Sequence, residues 1–256
     1  MAASLAGCRV VITRERPGLL AELLSDRGAD VRHVPLIEVV DPDDGGRALR
    51  TVLRRPDRVD WVLVTSPAGA ERVAAGLVRT PDTLRFGAVG TATAERLAQL
   101  IGRSPELTPH RQLAAELAER FVALHAGAPQ RVVVAQADRA NAVLVDELRR
   151  AGHVVDAVVA YRTVARVPSD AEIAALVAAD AVVFASGSAA SSWSEALGDR
   201  ASRLLPPIVV AIGPTTAAAA AENGLKVTAV AADHSVPGLV AAVEHQWRTS
   251  EGSDRQ

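Results

Sequence analysis

Three sets of side chains in this 256-residue chain stand where chemistry can be done. Ser66, Ser186 and Ser188 each follow a short apolar run and open an Ala-rich stretch of helical composition. A hydroxyl at such a junction lies beside the unpaired N–H groups of a new helix. It can hold an anion there, cap the helix, or do both. Gly90-Thr91-Ala92-Thr93 and Gly213-Pro214-Thr215-Thr216 form the second set. Glycine after a strand lets another group approach the backbone, Pro214 suits a first helical turn, and the threonines bring hydroxyls to the same terminus. The third is Tyr161, the only tyrosine, at the end of an apolar run. A phenol is protonated at neutral pH and can donate to a leaving group, but it can equally serve as a packing residue. Arg14 and Arg162 are the nearest basic groups, and the guanidinium fork suits a carboxylate.

Other chemistries lack their residues. The six histidines show no metal-ligand spacing, so no metal is expected. Gly-x-Gly-x-x-Gly and the Walker pattern are absent, so no nucleotide cofactor is expected either. No Ser-His-Asp order stands out, and Ser66 lacks the glycines of a nucleophile elbow. Cys8 lies just before an apolar run and reads as buried filler.

The elements that must position these groups are an alternation of short apolar runs and Ala/Leu-rich helical stretches. The runs are Cys8–Thr13, Val31–Pro35, Trp61–Thr65, Phe86–Val89, Arg131–Ala135, Val154–Tyr161, Ala181–Ala185, Ile208–Ile212 and Val227–Ala231, with a weaker one at Glu106–Thr108. Continuous apolar strands separated by helices imply an α/β fold with parallel sheets covered on both faces. Helix starts are expected at Pro17, Ser66-Pro67, Ser169 and Ser235, and stops at Gly28, Gly102, Gly152, Gly198 and Gly224.

The chain also repeats itself in permuted order. Asp60-Trp-Val-Leu-Val-Thr-Ser66 matches Asp180-Ala-Val-Val-Phe-Ala-Ser186, and Ala88-Val-Gly-Thr-Ala-Thr-Ala94 matches Ala211-Ile-Gly-Pro-Thr-Thr-Ala217. Arg131-Val-Val-Val, Leu144, Leu148 and Gly152 match Arg9-Val-Val-Ile, Leu20, Leu24 and Gly28, at the opposite end of the chain. Two similar doubly wound domains follow from this, one inserted into the other. The inserted domain spans 42–160, and the other joins 1–36 to 167–256. Segments 37–41 and 161–166 link them as strands that form a hinge. Ligands of open parallel sheets bind beyond the carboxyl ends of the strands, where the matched Ser, Thr and Gly residues fall. The cleft between the domains is therefore the expected site.

Basic side chains total 28 against 30 acidic ones, and Lys226 is the only lysine. That balance leaves no general footprint for nucleic acid or a membrane surface. No apolar run reaches the roughly 18 residues of a membrane span, and Met1–Gly7 carries no signal peptide. With its single cysteine, the chain reads as a cytoplasmic protein, and as a monomer.

Several motifs carry a resemblance. Thr13-Arg14 after the first strand, Ala160-Tyr-Arg-Thr163, Phe184-Ala-Ser-Gly-Ser188, Ala211–Ala217 and His234-Ser-Val-Pro-Gly-Leu-Val-Ala-Ala-Val243 resemble the uroporphyrinogen-III synthase family. The resemblance spans Arg9 to Val243 and implies two flavodoxin-like domains. It implies an enzyme that cyclises hydroxymethylbilane without a cofactor, expelling the terminal hydroxyl as water and inverting ring D. Tyr161 is then the acid. Arg14, Ser66, Gly90, Thr91, Thr93, Ser186, Ser188, Gly213, Thr215 and Thr216 are then substrate-binding. Gln136-Ala-Asp-Arg139 replaces a Gly-rich, Arg-bearing loop of many members, and Pro67-Ala-Gly69 replaces an Asn or basic residue. Two readings compete from other classes: a two-lobed ligand-binding protein of periplasmic-binding type, and a two-lobed glycosyltransferase.

Overall fold

Strands buried on both faces have no polar side to show, and here they are short, apolar and joined by helices. The computed structural model describes residues 3–253. Along the chain run β1 (Arg9–Ile12), α1 (Gly18–Asp26), β2 (Asp30–His33), β3 (Ile37–Val40), α2 (Arg47–Leu53), β4 (Trp61–Val64) and α3 (Pro67–Gly76). Next come β5 (Arg85–Ala88), α4 (Thr91–Ile101), α5 (Ala114–Leu124), β6 (Arg131–Ala137), α6 (Val143–Arg150) and β7 (Val154–Ala165). The chain closes with α7 (Asp170–Val177), β8 (Ala181–Phe184), α8 (Gly187–Leu197), β9 (Ile208–Ala211), α9 (Pro214–Glu222), β10 (Ala229–Val230) and α10 (Val236–Ser253).

Contacts divide the chain into two units, Met1–Glu38 with Val164–Gln256, and Val39–Thr163. The first holds a sheet of order β10-β9-β8-β1-β2, and the second a sheet of order β3-β7-β6-β4-β5. The segments 37–41 and 161–166 are largely strand, and β3 lies beside β7 in the second sheet. Arg166 ties the two crossings together within the first unit. Its backbone N–H donates to Leu36 O at 2.9 Å and its Nε–H to Pro35 O at 2.8 Å. Its guanidinium also meets Glu172, whose carboxyl is pulled down to about 2 by that bond and by the N–H of Ser169.

Alternation of side chains sorts each sheet into two apolar faces. In the first unit Val11, Phe184 and Val209 pack with Trp193 and Ala220, while Val10, Ile12, Val183 and Val210 pack with Leu20, Leu24 and Leu239. In the second, Val62, Val64, Val133 and Ala135 pack with Leu49, Val73 and Leu97. Trp61, Leu63, Val132 and Val134 pack on the other face with Leu117, Phe121 and Leu148.

The central strands of both sheets begin with the same arginine–aspartate pair. Arg9 donates from its backbone N–H and Nε to Asp180 Oδ2 at 2.9 Å, and from Nη2 to Oδ1 at 2.8 Å. Arg131 donates to Asp60 Oδ2 from its backbone N–H at 2.8 Å and Nε at 3.3 Å, and to Oδ1 from Nη2 at 3.0 Å. Both carboxyls are held below the usual carboxylate range, chiefly by these side-chain bonds.

One polar feature of the second core makes stability depend on pH. His125 and His153 are buried beside Trp61 and Phe121, with His125 4.7 Å from the Phe121 ring centroid and 6.3 Å from that of His153. His125 Nε2 has no hydrogen-bond partner, and His153 Nδ1 accepts from Gln130 N–H at 3.1 Å. Burial, then His153 and Arg85, holds the His125 imidazole below its ordinary value against the pull of Asp60. Burial lowers His153 as well. Both rings are thus neutral in the fold, while the unfolded chain takes up protons below about pH 6.5. The stability these two rings allow is fully present above that pH and declines as the pH falls below it. The melting temperature should drop between pH 7.5 and 5.5, and His125→Phe should flatten that slope. Calorimetry showing equal slopes in both proteins would refute the assignment.

Candidate functional site

Helix N-termini at the carboxyl ends of parallel strands leave N–H groups that nothing within the helix can satisfy. Four helices that start there carry the Ser, Thr and Gly residues singled out by sequence. In the second unit Ser66 caps α3: its Oγ accepts from Gly69 N–H at 3.0 Å, with Pro67 in the first helical position. In the first unit Ser186 caps α8 in the same way, accepting from Ala189 N–H at 3.2 Å. Ser186 Oγ also lies 2.9 Å from Ser188 Oγ, so the two exposed hydroxyls form one polar patch.

Gly90 and Gly213 are the N-caps of α4 and α9, both in extended conformation that any residue adopts. Proximity is what favours glycine. A Cβ on Gly90 would lie 2.6 Å from Gln112 Oε1 and 3.3 Å from Gln112 Cβ, and one on Gly213 would lie 3.4 Å from the His234 ring. Gln112 and His234 therefore lean on the two termini. Gln112 does so with a left-handed backbone, φ 54°. Composition gives no hint of Gln112, whereas His234 stands inside a motif already singled out. Thr91 and Thr215 are exposed near the starts of their helices, while Thr93 and Thr216 are turned inward and buried.

Arg14 is exposed, and its carbonyl faces His33 Nε2 at 2.7 Å. The preceding Thr13 is buried, and its hydroxyl has no hydrogen-bond partner. Buried unsatisfied hydroxyls are uncommon, which marks the carboxyl end of β1. Cys8 is buried in the apolar cluster behind it.

Tyr161 is buried, and it belongs to the apolar face that also holds Val158 and Ala160. Strict alternation would send residues 160 and 161 to opposite faces. The pairing with β6 explains the exception: Gln136 faces Val159 but Ala137 faces Tyr161, so Ala160 is an extra residue. This bulge turns the phenol onto the face from which Val64 and Ala135 pack with Ala70 of α3 and Leu97 of α4. Tyr161, Ser66 and the Gly90–Thr93 turn therefore belong to one side of the second sheet. Among the described residues the phenol hydroxyl finds no hydrogen-bond partner. No group of three or more His, Cys, Asp or Glu suited to a metal ion occurs among the described residues. No helix among them is long and apolar enough to cross a membrane.

The family model described as "Uroporphyrinogen-III synthase HemD" matches residues 19–241. The chain belongs to the uroporphyrinogen-III synthase family. Members are enzymes acting on a small-molecule tetrapyrrole substrate, and neither the ligand-receptor nor the glycosyltransferase reading is favoured. Among solved structures, uroporphyrinogen-III synthetase from Helicobacter pylori 26695 is similar at a TM-score of 0.65 and 15% identity, over 93% of this chain and 99% of that one. A mutant uroporphyrinogen III synthase from the extremely thermophilic bacterium Thermus thermophilus is similar at a TM-score of 0.56 and 21% identity, over 96% and 100%. At these identities the likeness concerns the fold. No curated protein matches the chain.

The caps carry a direct test. Ser66→Ala and Ser186→Ala each remove an acceptor for a helix N–H and should cost about 1 kcal/mol of stability. Denaturant titration of both variants checks this, and an unchanged midpoint would deny the serines their capping role.

Proposed function

We propose that this member of the family closes hydroxymethylbilane to uroporphyrinogen III with Tyr161 as the proton donor to the departing hydroxyl. The observation that carries the reading is the bulge at Ala160, which brings the sole tyrosine onto the sheet face that α3 and α4 cover, its hydroxyl without a hydrogen-bond partner among the described residues. In the reaction the pyrrole nitrogen pushes electrons toward the terminal carbon, the C–O bond breaks, and the hydroxyl leaves with a proton as water. Because the substrate supplies that push, a strong acid is unnecessary. Ring closure without the enzyme gives isomer I. The protein's larger task is therefore to fold a flexible polyanion so that ring D attacks through the correct carbon, and positioning of this kind lowers barriers by several kcal/mol.

In this reading each unit offers N–H groups and hydroxyls to substrate carboxylates. Ser66, Gly90, Thr91 and Thr93 do so in one, and Arg14, Ser186, Ser188, Gly213, Thr215 and Thr216 in the other. We further read the units as two flavodoxin-like copies in permuted order, a 1–36 plus 167–256 domain and an inserted 42–160 domain. Matching β8, β9, β1 and β2 to β4, β5, β6 and β7 gives the two sheets the same neighbour order. The bridge from Leu107 to Gly87 then stands where β10 flanks β9. A cofactor-free cytoplasmic monomer completes the reading.

Purified protein dialysed against chelator should convert hydroxymethylbilane mainly to isomer III; activity restored only by a metal or nucleotide would defeat the cofactor-free reading. Tyr161→Phe should slow turnover by about 10²-fold or less, near the low end for a positioned acid, with isomer III still formed. A wild-type rate, or an unchanged rate with a switch to isomer I, would remove Tyr161 from that role. Thr215→Val should raise KM by the equivalent of roughly 1.5–3 kcal/mol, the worth of a hydrogen bond to a charged group, with melting unchanged. Thr216→Val, at a buried position, should lower melting as well. If Thr215→Val left KM unaltered, that hydroxyl would have no part in binding.

A further inference from the structure

The bulge that aims Tyr161 needs something to hold it, since an extra residue leaves ladder bonds unmade and the strand free to settle into the regular register. The loop after β6 supplies the hold through a single residue. Asp138 donates its backbone N–H to Tyr161 O at 3.1 Å, the bond immediately beyond the register shift. Its carboxylate then reaches past the next residue, and Oδ1 accepts from Thr163 N–H at 3.4 Å. The tyrosine's own carbonyl and the amide two residues on are thus both bonded to Asp138. Arg162 lies between them, with Nε 3.8 Å from Asp138 Oδ2 and its guanidinium paired with Asp43. A carboxylate that accepts from a backbone amide with a guanidinium close by is favoured in that arrangement.

We propose that Asp138 is a positioning residue for Tyr161, bracketing the 161–163 segment so that the phenol stays on the face shared with α3 and α4. The inference rests on the reading of Tyr161 as proton donor. Asp138 touches no reacting atom in this account. It acts through the conformation of Tyr161, and a misplacement of about 1 Å at a catalytic group is enough to cost orders of magnitude in rate. Regular pairing would return residue 161 to the opposite face, because side-chain direction alternates with every residue.

Because Tyr161 is the only tyrosine, 3-fluorotyrosine labelling gives one ¹⁹F resonance that reports the ring directly and without substrate. Asp138→Ala should shift or broaden that resonance, while Asp138→Asn, which keeps an oxygen acceptor for Thr163 N–H, should leave it near the wild-type position. In turnover, Asp138→Ala should lower kcat roughly 10-fold, less than Tyr161→Phe, with KM little changed and Asp138→Asn recovering most of the rate. Adding Asp138→Ala to Tyr161→Phe should cost little more, since both act through one group. A ¹⁹F resonance in Asp138→Ala identical to wild type overturns the proposal. So does a full additional loss in the Tyr161→Phe background. If instead the resonance moves while Tyr161→Phe keeps the wild-type rate, positioning stands and the proton-donor reading fails.

Discussion

The two bidentate arginine–aspartate pairs set the frame on which everything else is placed. A parallel sheet has no tight turn to fix its register, so the strands must be locked by contacts at their ends or along their faces. Arg9 with Asp180, and Arg131 with Asp60, lock the two innermost strands of each sheet at their amino ends through side chain and backbone together. Asp180 N–H returns a bond to Arg9 O, and Asp60 N–H to Arg131 O, each at 2.9 Å. With the starts fixed, four residues of buried strand bring Ser66 and Ser186 out at equivalent levels, each in extended conformation and each capping the helix that follows.

What emerges at those levels is polar but almost uncharged. Helix N–H groups, serine and threonine hydroxyls and close-set glycines present partial positive charge without an ammonium or metal, and partial charges of this kind favour anions near a helix start. Several arginines are engaged elsewhere: Arg9, Arg27, Arg72, Arg96, Arg131 and Arg166 all face carboxylates of the protein itself. Arg14 is exposed just beyond the carboxyl end of β1.

Much of this was readable from sequence because it is local. The strands announce themselves as apolar runs, and Ser66-Pro67, Ser169 and Gly213-Pro214 mark helix starts through chemistry confined to one turn. The capping box of Ser169 and Glu172 needs no partner beyond its own helix. Features made by distant segments were not readable. Gln112 against Gly90, and Asp138 against Tyr161 and Thr163, join residues that no short window contains. Alternation along β7 places Tyr161 on the wrong face, because the extra residue is visible only in the pairing with β6. Likewise the crossings read as linking strands, but the sheet they join was not readable, since β3 finds its neighbour only when β7 returns.

The bulge at Ala160 also bears on how such a protein changes over generations. A side chain's chemistry is altered by substitution, but its face on a strand is altered by counting. Ala160 contributes a methyl group to the core and nothing to any reaction, yet its presence decides which helices the phenol meets. Loss of that one codon would keep Tyr161 in the chain, keep its neighbours in sequence, and carry the ring to the face lined by Leu117 and Phe121. Insertions and deletions in the last turn of β7 are therefore far less neutral than the alanine itself suggests.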